Sequence, residues 1–215
     1  MAFRLANSRA TLCVPMGTDE LRKRKTWQDS SGSKAGVAEK NFYDIMSQEF
    51  EGSDFRIRSK PREFKDIYSA ITLSDEILAG IYTPEDEKWI HGITPDYAID
   101  NVKSHKTLYV EVKRQDGWVE GKPRSAGRGN AHERLCKYFT PGLLRLMRQQ
   151  GNLGDNVLPF WVVLQGDVAR DPKRVREMHF WFAEYSAHLF FWSNSADAKA
   201  PISHFNKYLR NLLLP

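Results

Sequence analysis

Residues 95–113 read PDYAIDNVKSHKTLYVEVK, and the fold follows from their pattern. Thr107 to Lys113 alternates strictly. Leu108, Val110 and Val112 fall on one face, and Tyr109, Glu111 and Lys113 on the other, as a half-buried strand requires. Pro95 to Ile99 reads as a preceding strand, and the polar stretch Asp100 to Lys106 reads as the turn between them. Fourteen residues separate Asp96 from Glu111, a length that suits strand, turn and strand. Side chains two apart on a strand point the same way. In an antiparallel hairpin, Asp96, Glu111 and Lys113 therefore converge at one edge of the sheet.

Outward from this hairpin, Phe160 to Leu164 is a continuous apolar run, the mark of a buried strand. Phe180-Trp181-Phe182 and Leu189 to Trp192 read as two further strands, and Phe55 to Arg58 as a short one. A helix capped by Ser33 is expected to about Phe50, with Ala38, Phe42, Ile45 and Phe50 near one face and Gly52 ending it. Ser74-Asp75-Glu76 and Thr83-Pro84-Glu85 both look like helix starts. A helix is expected from Asn130 to Tyr138, restarted by Pro141 as far as Gln150, and Pro201 begins a last one through Leu213. Trp161, Trp181 and Trp192 read as core. The order predicts an α/β fold of the α+β type: a central mixed β-sheet flanked by helices.

The 215 residues suit one medium domain, with 41% hydrophobic and 27% charged residues, as in an ordinary globular protein. No apolar run approaches the roughly 20 residues of a membrane helix, and the N-terminus lacks the apolar core of a secretory signal. Two cysteines, Cys13 and Cys136, exclude a disulfide scaffold and a cysteine zinc site and point to the reducing cytoplasm. The six histidines show no zinc spacing, and neither a Walker loop nor GxGxxG occurs. Residues 1–26, with the basic run Arg22 to Lys25, read as a leader or basic arm, and 27–215 as a single domain.

The net charge is +5, unevenly spread. Between Gly121 and Gln150, Lys122, Arg124, Arg128, Arg134, Lys137, Arg145 and Arg148 stand against Glu133 alone. A cationic, glycine-rich segment just after the hairpin implies a polyanionic partner, with a solvated basic helix face as the alternative. Two carboxylates are what an oxygen-seeking Mg²⁺ takes, with waters and a phosphate oxygen completing its shell. A lysine beside them can orient or deprotonate an attacking water or offset developing charge. Spacing alone leaves a second reading open, in which Asp96, Glu111 and Lys113 are charges on a solvent face.

The arrangement PDYAID…LYVEVKRQ resembles the PD-(D/E)xK nuclease signature. The run from RQDGWVEGK into SAGRGNAHER, ending at Arg134, resembles the recognition segment of the EcoRI/MunI family of type II restriction endonucleases. The resemblance runs from about Trp27 to near the C-terminus and is dense from Pro95 to Met178. It implies that Asp96, Glu111 and Lys113 are catalytic, with Asp96 and Glu111 as Mg²⁺ ligands. It implies that Gly129, Asn130, Ala131, Glu133 and Arg134 face bases in the major groove, and that Arg128 reads an outer pair. Asn130 has the amide that suits adenine, and arginine suits guanine.

By the same resemblance the partner is double-stranded DNA bound by a homodimer. The site is CAATTG, cut after the first C to leave 5′-phosphate AATT overhangs, in a prokaryotic cytoplasm with a protecting methyltransferase. The stretch before Met16 has no counterpart in the family pattern, so Met16 is expected to be the true start. Glu39, His132 and the trio Lys173, Arg174 and Arg176 are secondary candidates for metal, catalytic and phosphate roles. Two other functions fit the motifs: a superfamily nuclease of repair or junction cleavage, and a non-catalytic sequence-specific DNA-binding protein.

Overall fold

In a computed structural model, residues 35–81, 90–116 and 132–215 are described. Five strands form one sheet in sequential order: β1 (Phe55–Ser59), β2 (Tyr97–Asn101), β3 (Lys106–Arg114), β4 (Phe160–Gln165) and β5 (Leu189–Trp192). β1, β2 and β3 pair antiparallel, whereas β3, β4 and β5 pair parallel. β3 is thus the seam of a mixed sheet, as expected. The hairpin register sets Tyr97 opposite Val110 and Ile99 opposite Leu108.

Both faces of the sheet are covered. On one, Leu108, Val110, Val112, Trp161 and Val163 pack against helix α1 (residues 35–50) and the C-terminal helical segment. α1 presents Ala38, Phe42, Met46 and Phe50, a strict four-residue stripe, and Gly52 at φ 72° turns the chain away from it. Met46 takes the fully buried place expected of Ile45, which is only half-buried. The C-terminal segment starts as α5 (Lys199–His204), passes through a π turn (Phe205–Leu209) and ends in a 3₁₀ turn (Arg210–Leu213), seating Phe205, Leu209 and Leu213. On the other face, Ala98, Tyr109, Phe160, Val162 and Leu164 pack against α3 (Pro141–Gln150) and α4 (Pro172–Phe182). Every residue of β4 is buried, and full burial of such a side chain contributes roughly 1.5–3 kcal/mol. Between β1 and β2 lies the short helix α2 (Asp75–Ala79), capped by the Ser74 hydroxyl.

Several expectations are corrected. The strand expected over Pro95 to Ile99 is Tyr97–Asn101, and the turn expected over Asp100 to Lys106 is shorter, because Asp100 and Asn101 belong to β2 and Lys106 to β3. Phe180-Trp181-Phe182 is the last turn of α4, not a strand. Asp171 caps that helix by accepting from the Lys173 N–H, Pro172 occupies its first turn, and Met178 and Phe182 are buried four residues apart. Helical periodicity outweighs the β-propensity of three aromatics and leaves Phe180 84% exposed. The segment expected as a helix from Asn130 is a 3₁₀ helix, Glu133–Phe139. His132, Leu135 and Tyr138 are buried at three-residue spacing, the repeat of a 3₁₀ turn, in which side chains three apart eclipse. Trp161 and Trp192 are core, and Trp181 is half-buried. The expected leader, the Ser33 cap and the Thr83-Pro84-Glu85 start lie outside the described residues. Among the described residues, no helix is long and apolar enough to cross a membrane.

Candidate active site

Asp96 immediately precedes β2, and the hairpin register brings it opposite Glu111 on β3. The Asp96 N–H donates to Glu111 Oε2 at 3.3 Å, and the Val112 N–H donates to Asp96 Oδ2 at 3.0 Å. The carboxyls are nearly enclosed, at 5% and 6% exposure. Lys113, two residues beyond Glu111 on the same face, turns its ammonium between them. Its Nζ lies 2.9 Å from Asp96 Oδ2, 2.7 Å from Glu111 Oε1 and 3.3 Å from the Val112 carbonyl oxygen. One cation thus sits among three oxygens. Burial alone would lower the Lys113 pKa; the charges of Glu111 and Asp96 and their hydrogen bonds outweigh it, and the pKa stands above its ordinary value.

Asp100, on the same face of β2, shows the contrast. Arg56, Arg58 and the Thr107 hydroxyl hold its carboxylate. Burial would raise its pKa, but these hydrogen bonds hold it below the usual value. Asp100 is a structural anion with fixed partners. The Asp96–Glu111 pair is instead bridged by the single long-stemmed cation of Lys113. Among the described residues, no three His, Cys, Asp or Glu side chains gather to hold a metal. The donor set is two carboxylates and one peptide carbonyl. That suits Mg²⁺, which commonly takes one or two carboxylates and fills its octahedron with water and phosphate.

Two residues at this site escaped sequence reasoning. Lys60, just past β1, bridges Asp96 Oδ1 at 2.7 Å and Glu39 Oε2 at 3.2 Å. Burial works against its charge, but Asp96 and Glu39 hold its pKa above the ordinary value. Glu39 thus reaches the site through Lys60. Tyr138, from the 3₁₀ helix, donates its hydroxyl to Glu111 Oε2 at 2.9 Å. Burial, and then the Glu111 charge, push the phenol well above its usual range, so it remains a donor. The three-residue spacing of His132, Leu135 and Tyr138 was the signal that this tyrosine points inward.

His132 lies apart from the carboxylates. Its Nδ1 is 3.0 Å from Gln115 Oε1, and its ring stacks on Trp181 with centroids 5.9 Å apart. Gln115 is fixed in turn. Its N–H donates to the Gln165 carbonyl, and Gly166 at φ 85° passes so near that a Cβ there would meet the Gln115 carbonyl oxygen at 2.6 Å. Glu133 and Arg134 are exposed at the start of the 3₁₀ helix, while Arg128, Gly129, Asn130 and Ala131 lie outside the described residues. Lys173 and Arg176 are exposed, and Arg174 pairs with Glu177.

The sequence model of the family described as "Type II restriction enzyme MunI" matches residues 16–214. A curated protein of that name from Mycoplasma sp is 46% identical over 203 residues, covering 92% of this chain and all of the relative. The crystal structure of MunI restriction endonuclease in complex with cognate DNA superposes with a TM-score of 0.74 at 45% identity, covering 87% of this chain and 97% of that one. A hairpin that joins two carboxylates to a lysine is therefore set in a chain that matches one family almost throughout: the protein belongs to the MunI family of type II restriction enzymes.

Proposed function

We propose that this site-specific endonuclease makes Mg²⁺-dependent double-strand cuts at C^AATTG, leaving 5′-phosphate AATT overhangs. The observation that carries the chemistry is the Lys113 ammonium held among Asp96 Oδ2, Glu111 Oε1 and the Val112 carbonyl. Such a cage of oxygens selects a hard cation, and type II restriction endonucleases work with a divalent one. Asp96, Glu111 and the Val112 carbonyl would hold it. When bound, it supplies charge neutralisation at the scissile phosphate and a more acidic water. Lys113 would yield that seat and, from beside it, orient the attacking water and offset charge developing on the phosphate.

Arg128, Gly129, Asn130, Ala131, Glu133 and Arg134 would read the bases. Glu133 and Arg134 are exposed on the 3₁₀ helix that touches Glu111 through Tyr138. A palindrome offers two identical half-sites, so the working form is a two-fold homodimer. Unmodified host DNA carrying the site would be cut, which calls for a companion methyltransferase in the same cytoplasm. The test is digestion of a mixed plasmid with Mg²⁺, with the ends sequenced. Asp96→Ala should lose roughly a hundred- to a thousandfold in rate, on the scale of removing one charge-stabilising partner, while its melting transition survives. Ends at any other sequence, or near-normal cutting by Asp96→Ala, would overturn the reading.

A further inference from the structure

The 3₁₀ helix Glu133–Phe139 is fastened to β3 and its exit at two points. Tyr138 Oη donates to Glu111 Oε2 at 2.9 Å, and His132 Nδ1 lies 3.0 Å from Oε1 of Gln115, two residues past Lys113. Both fasteners lie on the buried side of the helix, with Leu135 between them. Glu133 and Arg134 project from its exposed side. Tyr138 is itself locked: it is 1% exposed, and its ring lies 5.2 Å from that of Phe160 on β4. The Glu111 carboxylate is shared, with Oε1 taken by Lys113 and Oε2 by Tyr138 and the Asp96 N–H. Any shift of this helix is thus delivered to one oxygen of Glu111 through a single hydroxyl.

We propose that Tyr138 is a positioning residue that couples base reading to chemistry, holding Glu111 in its working orientation unless a wrong base pair at Glu133 and Arg134 shifts the helix that carries it. This rests on the assignment of Glu111 and of the reading residues made above. A wrong base pair displaces the exposed side of the helix, the hydroxyl moves with it, and Glu111 Oε2 keeps only the longer bond from the Asp96 N–H. Discrimination then appears in the cleavage step as well as in binding.

The test is Tyr138→Phe, which removes the hydroxyl and keeps the ring. Competition binding in Ca²⁺ to a CAATTG duplex reports folding and reading. Single-turnover rates in Mg²⁺ are measured on that duplex and on duplexes with one inner base pair changed. Binding of CAATTG should stay within about twofold. Its cleavage rate should fall roughly ten- to hundredfold, the scale of one hydrogen bond to a charged group. The rate on altered sites should not change, so the preference in rate shrinks by the same factor. A wild-type cognate rate overturns the proposal. So does an equal fall on cognate and altered sites, which is what a purely structural tyrosine would give, and so does a parallel loss of binding. Glu111→Gln is the control: if it cuts normally, the assignment of Glu111 is at fault; if it is inactive while Tyr138→Phe behaves as wild type, only the coupling fails.

Discussion

Lys60 and Asp96 are joined twice. The Lys60 backbone N–H donates to the Asp96 carbonyl at 2.9 Å, and the Lys60 ammonium donates to Asp96 Oδ1 at 2.7 Å. Lys60 adopts φ 47°, a left-handed conformation that costs a non-glycine residue about 1–2 kcal/mol. Pro61, which follows it, is buried. The two-point link to Asp96 holds the chain in this conformation and keeps a cation on the carboxylate oxygen that Lys113 leaves free.

Lys60 therefore competes with a divalent cation for Asp96. Lys60→Gln should lower the Mg²⁺ concentration for half-maximal cleavage and weaken metal-free binding of a CAATTG duplex, because Asp96, Glu111 and Glu39 then share one fewer positive charge. Each change should be about fivefold at most, since the Lys60 side chain is 52% exposed and such pairs are worth about 1 kcal/mol or less. A metal titration of single-turnover rates checks the first, and retardation in EDTA the second. An unchanged metal requirement would remove Lys60 from the site's electrostatics.

Reading should separate by residue. Arg128→Ala should bring CAATTG binding closer to that of other sites that share the inner AATT, because two bonds to guanine O6 and N7 are worth roughly 1–3 kcal/mol per pair. Arg134→Ala should abolish specific binding, because it removes a reader of the inner AATT and leaves the base edges it would bond without a partner. Competition in Ca²⁺ across all outer pairs distinguishes them. A retained preference for the outer C·G pair in Arg128→Ala would refute the first assignment.

His188 makes stability sensitive to acid. Burial pushes its pKa down to about 4, against a hydrogen bond between Nδ1 and the Phe160 carbonyl that works the other way. The folded state therefore binds fewer protons than the unfolded chain between about pH 4 and 6.5. Its contribution is complete above 6.5, is lost as pH falls through that window and amounts to roughly 3 kcal/mol. His204, also lowered by burial, acts in the same direction. Melting curves at pH 7 and pH 5 should show a smaller acid shift for His188→Asn than for the wild type; equal shifts would count against a buried neutral His188.

The parts of the site that were legible lie where sequence spacing converts directly into geometry. In Thr107–Lys113 the two-residue period fixes which side chains share a face, so Glu111, Lys113 and the facing Asp96 follow from the hairpin alone. Lys60 was not legible because it arrives from the end of another strand, 36 residues before Asp96, and no local period announces that approach. Tyr138 was hidden by the choice of period: placed on an α-helix its direction is ambiguous, whereas the 3₁₀ turn aligns it with His132 and Leu135. The aromatic run at Phe180 misled because β-propensity reports packing on a pleated face, and here a proline and an aspartate cap had already committed the chain to a helix.

The seam at β3 has a consequence for the order in which the molecule assembles. Asn101 and Lys106 bound the tight connection between β2 and β3, whereas the parallel partner of β3 arrives only after the long crossover from Arg114 to Phe160. Loop-closure entropy grows with the length of chain enclosed, and non-local parallel pairing is slow. Asp96, Glu111 and Lys113 lie just beyond the end of the one pairing that closes locally, and Glu111 and Lys113 later pair with Val162 and Leu164 of β4 as well. The helix that carries Tyr138 lies inside the crossover and docks against Phe160 on the far side of it. The charged cluster thus belongs to an early-closing hairpin, and its contact with the 3₁₀ helix through Tyr138 is among the last features the chain can complete.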